Sequence, residues 1–428
     1  MNDQALRQHI DAYCSPRQSD IPNALSKLCR TLYQEGLTCK DVEQFLAKGP
    51  LLSPPANLQE GKLLGRIPLQ CLHLNYQTTF FLYIPRNYEA SKPSSLLIIG
   101  HGGNGSMSKS YAESTAQYAI QDWISIADQY GFILAAPATS RGWGNIGYSI
   151  VSSLRSLLQR WFRLNPHRMY LTGHSMGGHL SWRSALYIGD WWGAVAPMSG
   201  GYDYVQKGLM AMLSNVPGYV TFGSQEPYGI AESNRNMRSW LQAHGFEWIV
   251  QEKSGGHEIF HDELPKVAEF FQRHPRNPYR SQVWGEAWHA EAWTEPDKQW
   301  ARYHQWHPHR PIPNGMFHWL RLYADTNLAP GKRQKVLAKL DKLANHIILK
   351  AENTHKLSLY LHPELVDFDQ ELSIYANGQL IFQELLQPDI ATLLSTVKEF
   401  DDWGRIFWTR LDLRIPGNGS PRISQIVA

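Results

Sequence analysis

The stretch Gly173-His174-Ser175-Met176-Gly177 sets a serine between two glycines, each two residues away. A serine hydroxyl becomes a nucleophile only where a neighbouring base can take its proton. A turn tight enough to lift that hydroxyl clear of its own backbone leaves no room for side chains two residues to either side, which accounts for the glycines. The preceding run Arg168-Met169-Tyr170-Leu171-Thr172 reads as a strand and residues 175–187 as a helix, so the serine falls on a strand–turn–helix junction. Such a junction also aims the Met176 N–H and the helix N-terminus at an oxygen reacting beside Ser175.

A second glycine-rich stretch, His101-Gly102-Gly103-Asn104-Gly105, directly follows the apolar run Ser95-Leu96-Leu97-Ile98-Ile99. Backbone N–H groups on such a loop can come close to the negative charge that develops on a carbonyl oxygen during acyl transfer. The Gly103 and Met176 N–H groups are therefore the expected oxyanion donors, with His101, Asn104 and His174 as candidate substrate contacts. The base is expected downstream, after an acid, in the order Ser, acid, His. His257, in Ser254-Gly255-Gly256-His257 after the strand-like Trp248-Ile249-Val250-Gln251-Glu252, occupies that place. His244 falls within a helical stretch and His261 lies four residues further on. Two acids remain open: Glu226, in Gly223-Ser224-Gln225-Glu226-Pro227 after the strand 218–222, and the runner-up Asp203, after the preceding strand. Either carboxylate can hold an imidazole in the required tautomer.

Taken together, Gly173 to Gly178, the His101-Gly102-Gly103 loop, Ser199-Gly200 and the terminal Gly256-His257 resemble the polyhydroxybutyrate-depolymerase-like and feruloyl-esterase-like branch of the α/β-hydrolases. Prolyl-oligopeptidase-type catalytic domains are similar. The resemblance covers roughly residues 70 to 275, and it implies ester or peptide hydrolysis through an acyl-enzyme. In that branch the acid is commonly an aspartate in a Gly-x-x-Asp-Pro-like turn; here the matching position is Glu226.

These residues need a scaffold that delivers distant loops to one place. From about residue 60 short apolar runs at 95–99, 132–136, 168–172, 193–196 and 218–222 alternate with helical stretches near 118–130, 149–162, 175–187, 233–244 and 263–273. That rhythm predicts an α/β fold, a mainly parallel sheet flanked by helices. A strand pair, 69–74 and 79–84, precedes it. Residues 1–58 form an N-terminal helical segment, a packing layer or an arm, ending in the Gly- and Pro-rich stretch 49–55. Residues 59–276 form the catalytic domain and 277–428 a C-terminal β-rich domain, a small sandwich. In the latter, 317–323, 357–361, 372–376 and 407–413 read as strands, and Asn377-Gly378 marks a two-residue hairpin.

Composition narrows the partners. With 41 Lys and Arg against 38 Asp and Glu, charge supplies no reason to expect nucleic acid or an anionic membrane. No run approaches the ~18 apolar residues of a membrane span. The four cysteines, Cys14, Cys29, Cys39 and Cys71, lack C-x-x-C spacing, which argues against a zinc or redox site. A disulfide among the first three is conceivable, but a reducing compartment fits better. The start Met1-Asn2-Asp3-Gln4 is polar rather than signal-like, so a cytoplasmic location is expected. The segment 284–309, with Trp284, Trp288, Trp293, Trp300 and Trp306 beside His304, His307 and His309, reads as aromatic fastening between domains or a groove wall rather than a metal site. The combined expectation is a serine hydrolase acting on small-molecule carboxylic esters without metal or organic cofactor. The alternatives are a serine peptidase of the prolyl-oligopeptidase type and a non-catalytic binding protein on a hydrolase scaffold.

Overall fold

The computed structural model describes residues 3–14, 22–71, 76–104, 106–202, 210–287, 315–323, 325, 328–329 and 332–416. They fall into two compact units, one built on Pro54–Asn277 and the other comprising Met1–Ser53, Pro278–Trp288 and Asn314–Pro421.

The unit on Pro54–Asn277 is an eight-stranded sheet in the order β1-β2-β4-β3-β5-β6-β7-β8. Its strands are β1 (Leu63–Gln70), β2 (Gln77–Tyr83), β3 (Ser94–Gly100), β4 (Phe132–Pro137), β5 (Leu164–His174), β6 (Ala194–Met198), β7 (Gly218–Gly223) and β8 (Trp248–Lys253). β1, β2 and β4 pair antiparallel, and every other neighbouring pair is parallel. Strands buried on both faces must be apolar throughout. In β3 Leu97 and Ile99 join the cluster beneath one face, while Leu96 and Ile98 are equally buried on the other. That first cluster is closed by helices α4 (Lys109–Gln121) and α5 (Ile124–Tyr130) and, further along the chain, by the helix Leu264–Arg273, through Ala116, Ile120, Ala127, Val267 and Phe271. Where the sequence suggested one helical stretch, two helices form, interrupted at Asp122-Trp123; the Trp123 ring is fully buried. Next come α6 (Asn145–Trp161), α7 (Met176–Tyr187), α8 (Ile230–Ala243) and the already mentioned Leu264–Arg273, which is α9.

After β3 the chain builds β4 on one side, then returns through α6 to place β5 on the other. Connections therefore diverge between β3 and β5, and in open α/β sheets ligands bind beyond the strand ends at such a point. There Gly100, ending β3, is paired with Gly173 near the end of β5.

The second unit holds a four-stranded sheet, β10-β11-β14-β17, and a five-stranded sheet, β16-β15-β13-β12-β9. These strands are β9 (Gln282–Ala287), β10 (Met316–Phe317), β11 (Leu320–Leu322), β12 (Gln334–Asp341), β13 (His346–Glu352), β14 (Lys356–Leu361), β15 (Glu371–Ala376), β16 (Gln379–Leu385) and β17 (Thr409–Arg414). The sheets pack face to face so closely at Gly285 that a Cβ there would lie 2.9 Å from Phe317 and Leu320 side-chain atoms. Asn377 and Gly378 both have positive φ, 50° and 84°, as the hairpin between β15 and β16 requires.

Further elements depart from the sequence expectation, β9 among them, since its residues were not read as a strand. Residues 317–323 are not one strand: His318 turns at φ 52° and pairs Phe317 with Leu320 in a tight hairpin, while the buried Trp319 donates its indole N–H to Arg280 O at 2.8 Å. The β12–β13 hairpin was not anticipated. Neither was α10 (Ile390–Phe400), which packs with α1 (Asp3–Cys14), α2 (Pro22–Gln34) and α3 (Cys39–Leu46) around Leu32, Val42, Leu393 and Leu394. All four cysteines are free and buried. No described helix is long and apolar enough to cross a membrane.

Candidate active site

Ser175 occupies the single residue between β5 and α7, with φ 56° and ψ −116°. A non-glycine backbone there stores roughly 1–3 kcal/mol of strain. Two things hold it. The Ser175 N–H donates to Met198 O at 2.9 Å, and the flanking glycines let the end of β3 press against the turn. A Cβ on Gly173 would sit 2.5 Å from Gly100 O, and one on Gly177 only 2.0 Å from it. The glycine spacing is thus set by the neighbouring strand as well as by the turn itself.

The Ser175 Oγ lies 2.8 Å from His257 Nε2, and His257 Nδ1 lies 2.6 Å from Glu226 Oε2. Glu226 follows β7 and His257 follows β8, and the two loops are fastened to each other. Ser224 N–H donates to Lys253 O at 2.8 Å and Gln225 N–H to Gly255 O at 2.9 Å. A side chain on Gly223 has no room, since its Cβ would stand 2.2 Å from Gly256 O. The Glu226 side chain is wholly buried, whereas that of His257 is partly exposed. Burial pushes the Glu226 carboxyl up, but hydrogen bonds from His257, from the Ser199 hydroxyl and from the Gly223 N–H outweigh it, leaving the group below the ordinary carboxylate range. An ionised carboxylate only accepts, so the Nδ1–H tautomer of His257 donates to Glu226, and Nε2 is left to accept the Ser175 proton.

The loop after β3 lies alongside the serine. A Cβ on Gly102 would be 3.4 Å from both Ser175 Cβ and His174 O. Gly103 follows with φ 125°, and Met176 opens α7, where the first N–H groups have no acceptor within the helix. The sequence expectations for His101, Asn104 and His174 as substrate contacts fare differently. His101 is corrected: it is fully buried, its Nδ1–H donates to Gly102 O at 2.7 Å, and its Nε2 accepts the Thr139 N–H at 3.0 Å. It braces the glycine loop from below, with Trp143 donating its indole N–H to the His101 carbonyl at 3.0 Å. Burial of the ring lowers its pKa from 6.5 to about 4, against a smaller upward pull from the hydrogen bond to Gly102 O. Asn104 is exposed and accepts the Ser106 N–H at 2.9 Å, closing its own turn. The His174 ring lies 4.8 Å from that of His257, and burial, then the neighbouring His257, lower its pKa to about 4. It therefore adds no second cation beside His257.

Asp203, the runner-up acid, lies outside the described residues, as do the tryptophans and histidines of 284–309 other than Trp284. His244 stacks on Trp240 at the end of α8, and His261 opens the short turn His261–Glu263. Ser199 went without a role in the sequence reading. It directly follows β6, between the strands carrying Ser175 and Glu226, and that position was the available signal. Among the described residues no group of three or more His, Cys, Asp or Glu is arranged to hold a metal ion.

A mainly parallel sheet of this strand order, with a serine on the one-residue turn after β5, defines the α/β-hydrolase class. The Esterase family model matches residues 72–316, more than half of the 428 residues. The chain belongs to that family of hydrolytic enzymes. No curated protein matches it by sequence. Among solved structures it is similar to a thermostable esterase, at 16% identity and TM-score 0.44, over 50% of this chain and 63% of that one. It is also similar to the fluorophosphonate-binding serine hydrolase F of Staphylococcus aureus, at 14% identity and TM-score 0.41, over 50% of this chain and 98% of that one. A third is the dipeptidyl peptidase 4 of Porphyromonas gingivalis, at 10% identity and TM-score 0.37, over 50% of this chain and 35% of that one.

Proposed function

We propose that the protein hydrolyses carboxylic esters of small molecules through an acyl-enzyme, with Ser175 as nucleophile, His257 as base and Glu226 as orienting acid. The observation that carries this reading is the unbroken path from Ser175 Oγ through both nitrogens of His257 to the buried Glu226 carboxylate, at 2.8 and 2.6 Å. Nε2 takes the serine proton as Oγ bonds to the ester carbonyl carbon. The imidazolium so formed is stabilised by Glu226. The carbonyl π pair moves onto oxygen, where the Gly103 and Met176 N–H groups meet it; one such donor is worth about 2.7–4 kcal/mol. Collapse expels the alcohol, which takes the proton from Nε2. Water then attacks the acyl-enzyme with His257 again as base, releasing the acid and restoring the serine. Neutral His174 beneath the base lets His257 carry the transient charge without a cationic neighbour.

The test is hydrolysis of p-nitrophenyl acetate together with labelling by a fluorophosphonate probe. Ser175→Ala should abolish labelling and lower kcat by roughly 10⁶-fold, the scale of other serine triads. A Ser175→Ala protein that keeps turning over and still labels overturns the assignment.

A further inference from the structure

We infer that Ser199 is a positioning residue for the Glu226–His257 pair, its hydroxyl fastening the loop that carries the base beside the acid. This rests on the triad proposed above. Ser199 has no exposed surface. It stands where the three loops meet. The preceding residue, Met198, accepts the Ser175 N–H through its carbonyl at 2.9 Å, and the Ser199 N–H donates to Thr221 O of β7 at 2.8 Å. The Ser199 Oγ donates to the carbonyl of Glu258, next to His257, at 3.0 Å. The same hydroxyl reaches the Glu226 carboxylate.

The backbone here favours a different residue. Ser199 has φ 47°, the left-handed region where a Cβ is strained and glycine is at ease. Glycine would relieve the backbone but could not make either side-chain bond. The hydroxyl has one proton, which goes to the Glu258 carbonyl at 3.0 Å, and the hydroxyl helps hold the charge of the nearby Glu226 carboxylate. Glu226 itself accepts from two donors, His257 Nδ1–H at Oε2 (2.6 Å) and the Gly223 N–H at Oε1 (3.3 Å). With the hydroxyl gone, the loop bearing His257 loses its fastening to the end of β6, and the buried carboxylate beside it keeps its charge less easily. Among the described residues, the other ionisable groups near this cluster are His257 itself, His174 beside it, and the Glu258 carboxylate, which accepts the Gly256 N–H at 3.2 Å. Changing Ser199 leaves each of these side chains in place.

The experiment compares wild type, Ser199→Ala and Ser199→Gly by steady-state hydrolysis of p-nitrophenyl acetate across pH, with Tm recorded for each. Alanine removes the hydroxyl and keeps the strain; glycine removes both. Both variants should lose about tenfold in kcat with KM nearly unchanged. In both, the acid limb of kcat/KM should move up by about half a pH unit, because the coupled pair accepts a proton more readily. Their Tm values should differ, since only glycine relaxes the backbone. A glycine variant with wild-type kcat and acid limb overturns the inference, as does activity that simply tracks Tm. Ser175→Ala is run alongside. If it is inactive while both Ser199 variants match wild type, this inference alone fails; if it is active, the triad reading fails.

Discussion

Mild acid should destabilise this protein through His101, a residue that carries out no chemistry in the proposed reaction. In the folded chain the ring is neutral, donating from Nδ1 to Gly102 O and accepting from the Thr139 N–H at Nε2. Its pKa is held at about 4, against 6.5 for an exposed imidazole. In the unfolded chain the same ring takes up a proton below about pH 6.5, so between the two values the unfolded state binds more protons and stability rises with pH. The contribution is complete above the upper value and is lost as pH falls towards the lower one. Working the linkage through, His101 should cost about 2 kcal/mol of stability between about pH 7 and about pH 5. Urea unfolding followed by tryptophan fluorescence at several pH values measures this. His101→Asn keeps a donor for Gly102 O but removes the titrating ring. It should be less stable than wild type near neutrality, and its stability should fall less steeply with acid, by about that same 2 kcal/mol. His174, also lowered to about 4, adds to the slope in both proteins and cancels in the comparison. Parallel pH dependences in the two proteins would refute the reasoning, because they would mean the ring is protonated equally in both states.

Two further outcomes follow from the site. Glu226→Gln places an amide against His257 Nδ1, favouring the tautomer that carries its proton on Nε2 and so cannot accept from Ser175. Steady-state kinetics should find kcat reduced on the order of 10⁴-fold with little change in KM; a loss under about tenfold would move the acid role elsewhere, with Asp203 the next candidate. Gly177→Ala would drive a Cβ to 2.0 Å from the Gly100 carbonyl oxygen, a backbone atom that cannot swing away. It should cost about 3 kcal/mol or more and abolish fluorophosphonate labelling. Gly256→Ala, whose Cβ would meet nothing within 4 Å, is the control and should leave Tm unchanged.

Much of the catalytic unit was legible in the chain because a strand buried on both faces has to be a continuous apolar run. Leu96–Ile99 in β3 and Ile133–Ala136 in β4 could scarcely be anything else. Helix α10 was not legible. Its β-branched Ile390, Thr392, Thr396 and Val397 speak weakly against helix. What settles it is the Asp389 cap, which accepts the Ala391 and Thr392 N–H groups, and the apolar surface of α1 to α3, hundreds of residues away in sequence. His318 likewise hides a turn inside an alternating stretch, because alternation reports burial and not φ.

Residue order was enough to mark the serine elbow, the glycine loop and the histidine after β8, since the turn at Ser175 and the approach of backbone N–H groups impose residue types wherever they occur. It could not say which carboxylate meets His257, since that depends on how β7 and β8 lie side by side and fasten their loops. Nor could it separate a histidine that faces a substrate from His101, which is buried and spent on the backbone of a loop 38 residues away. Those distinctions belong to packing: the same side chain is a ligand, a base or a brace according to what surrounds its two nitrogens, and those surroundings come from parts of the chain that meet only when it folds.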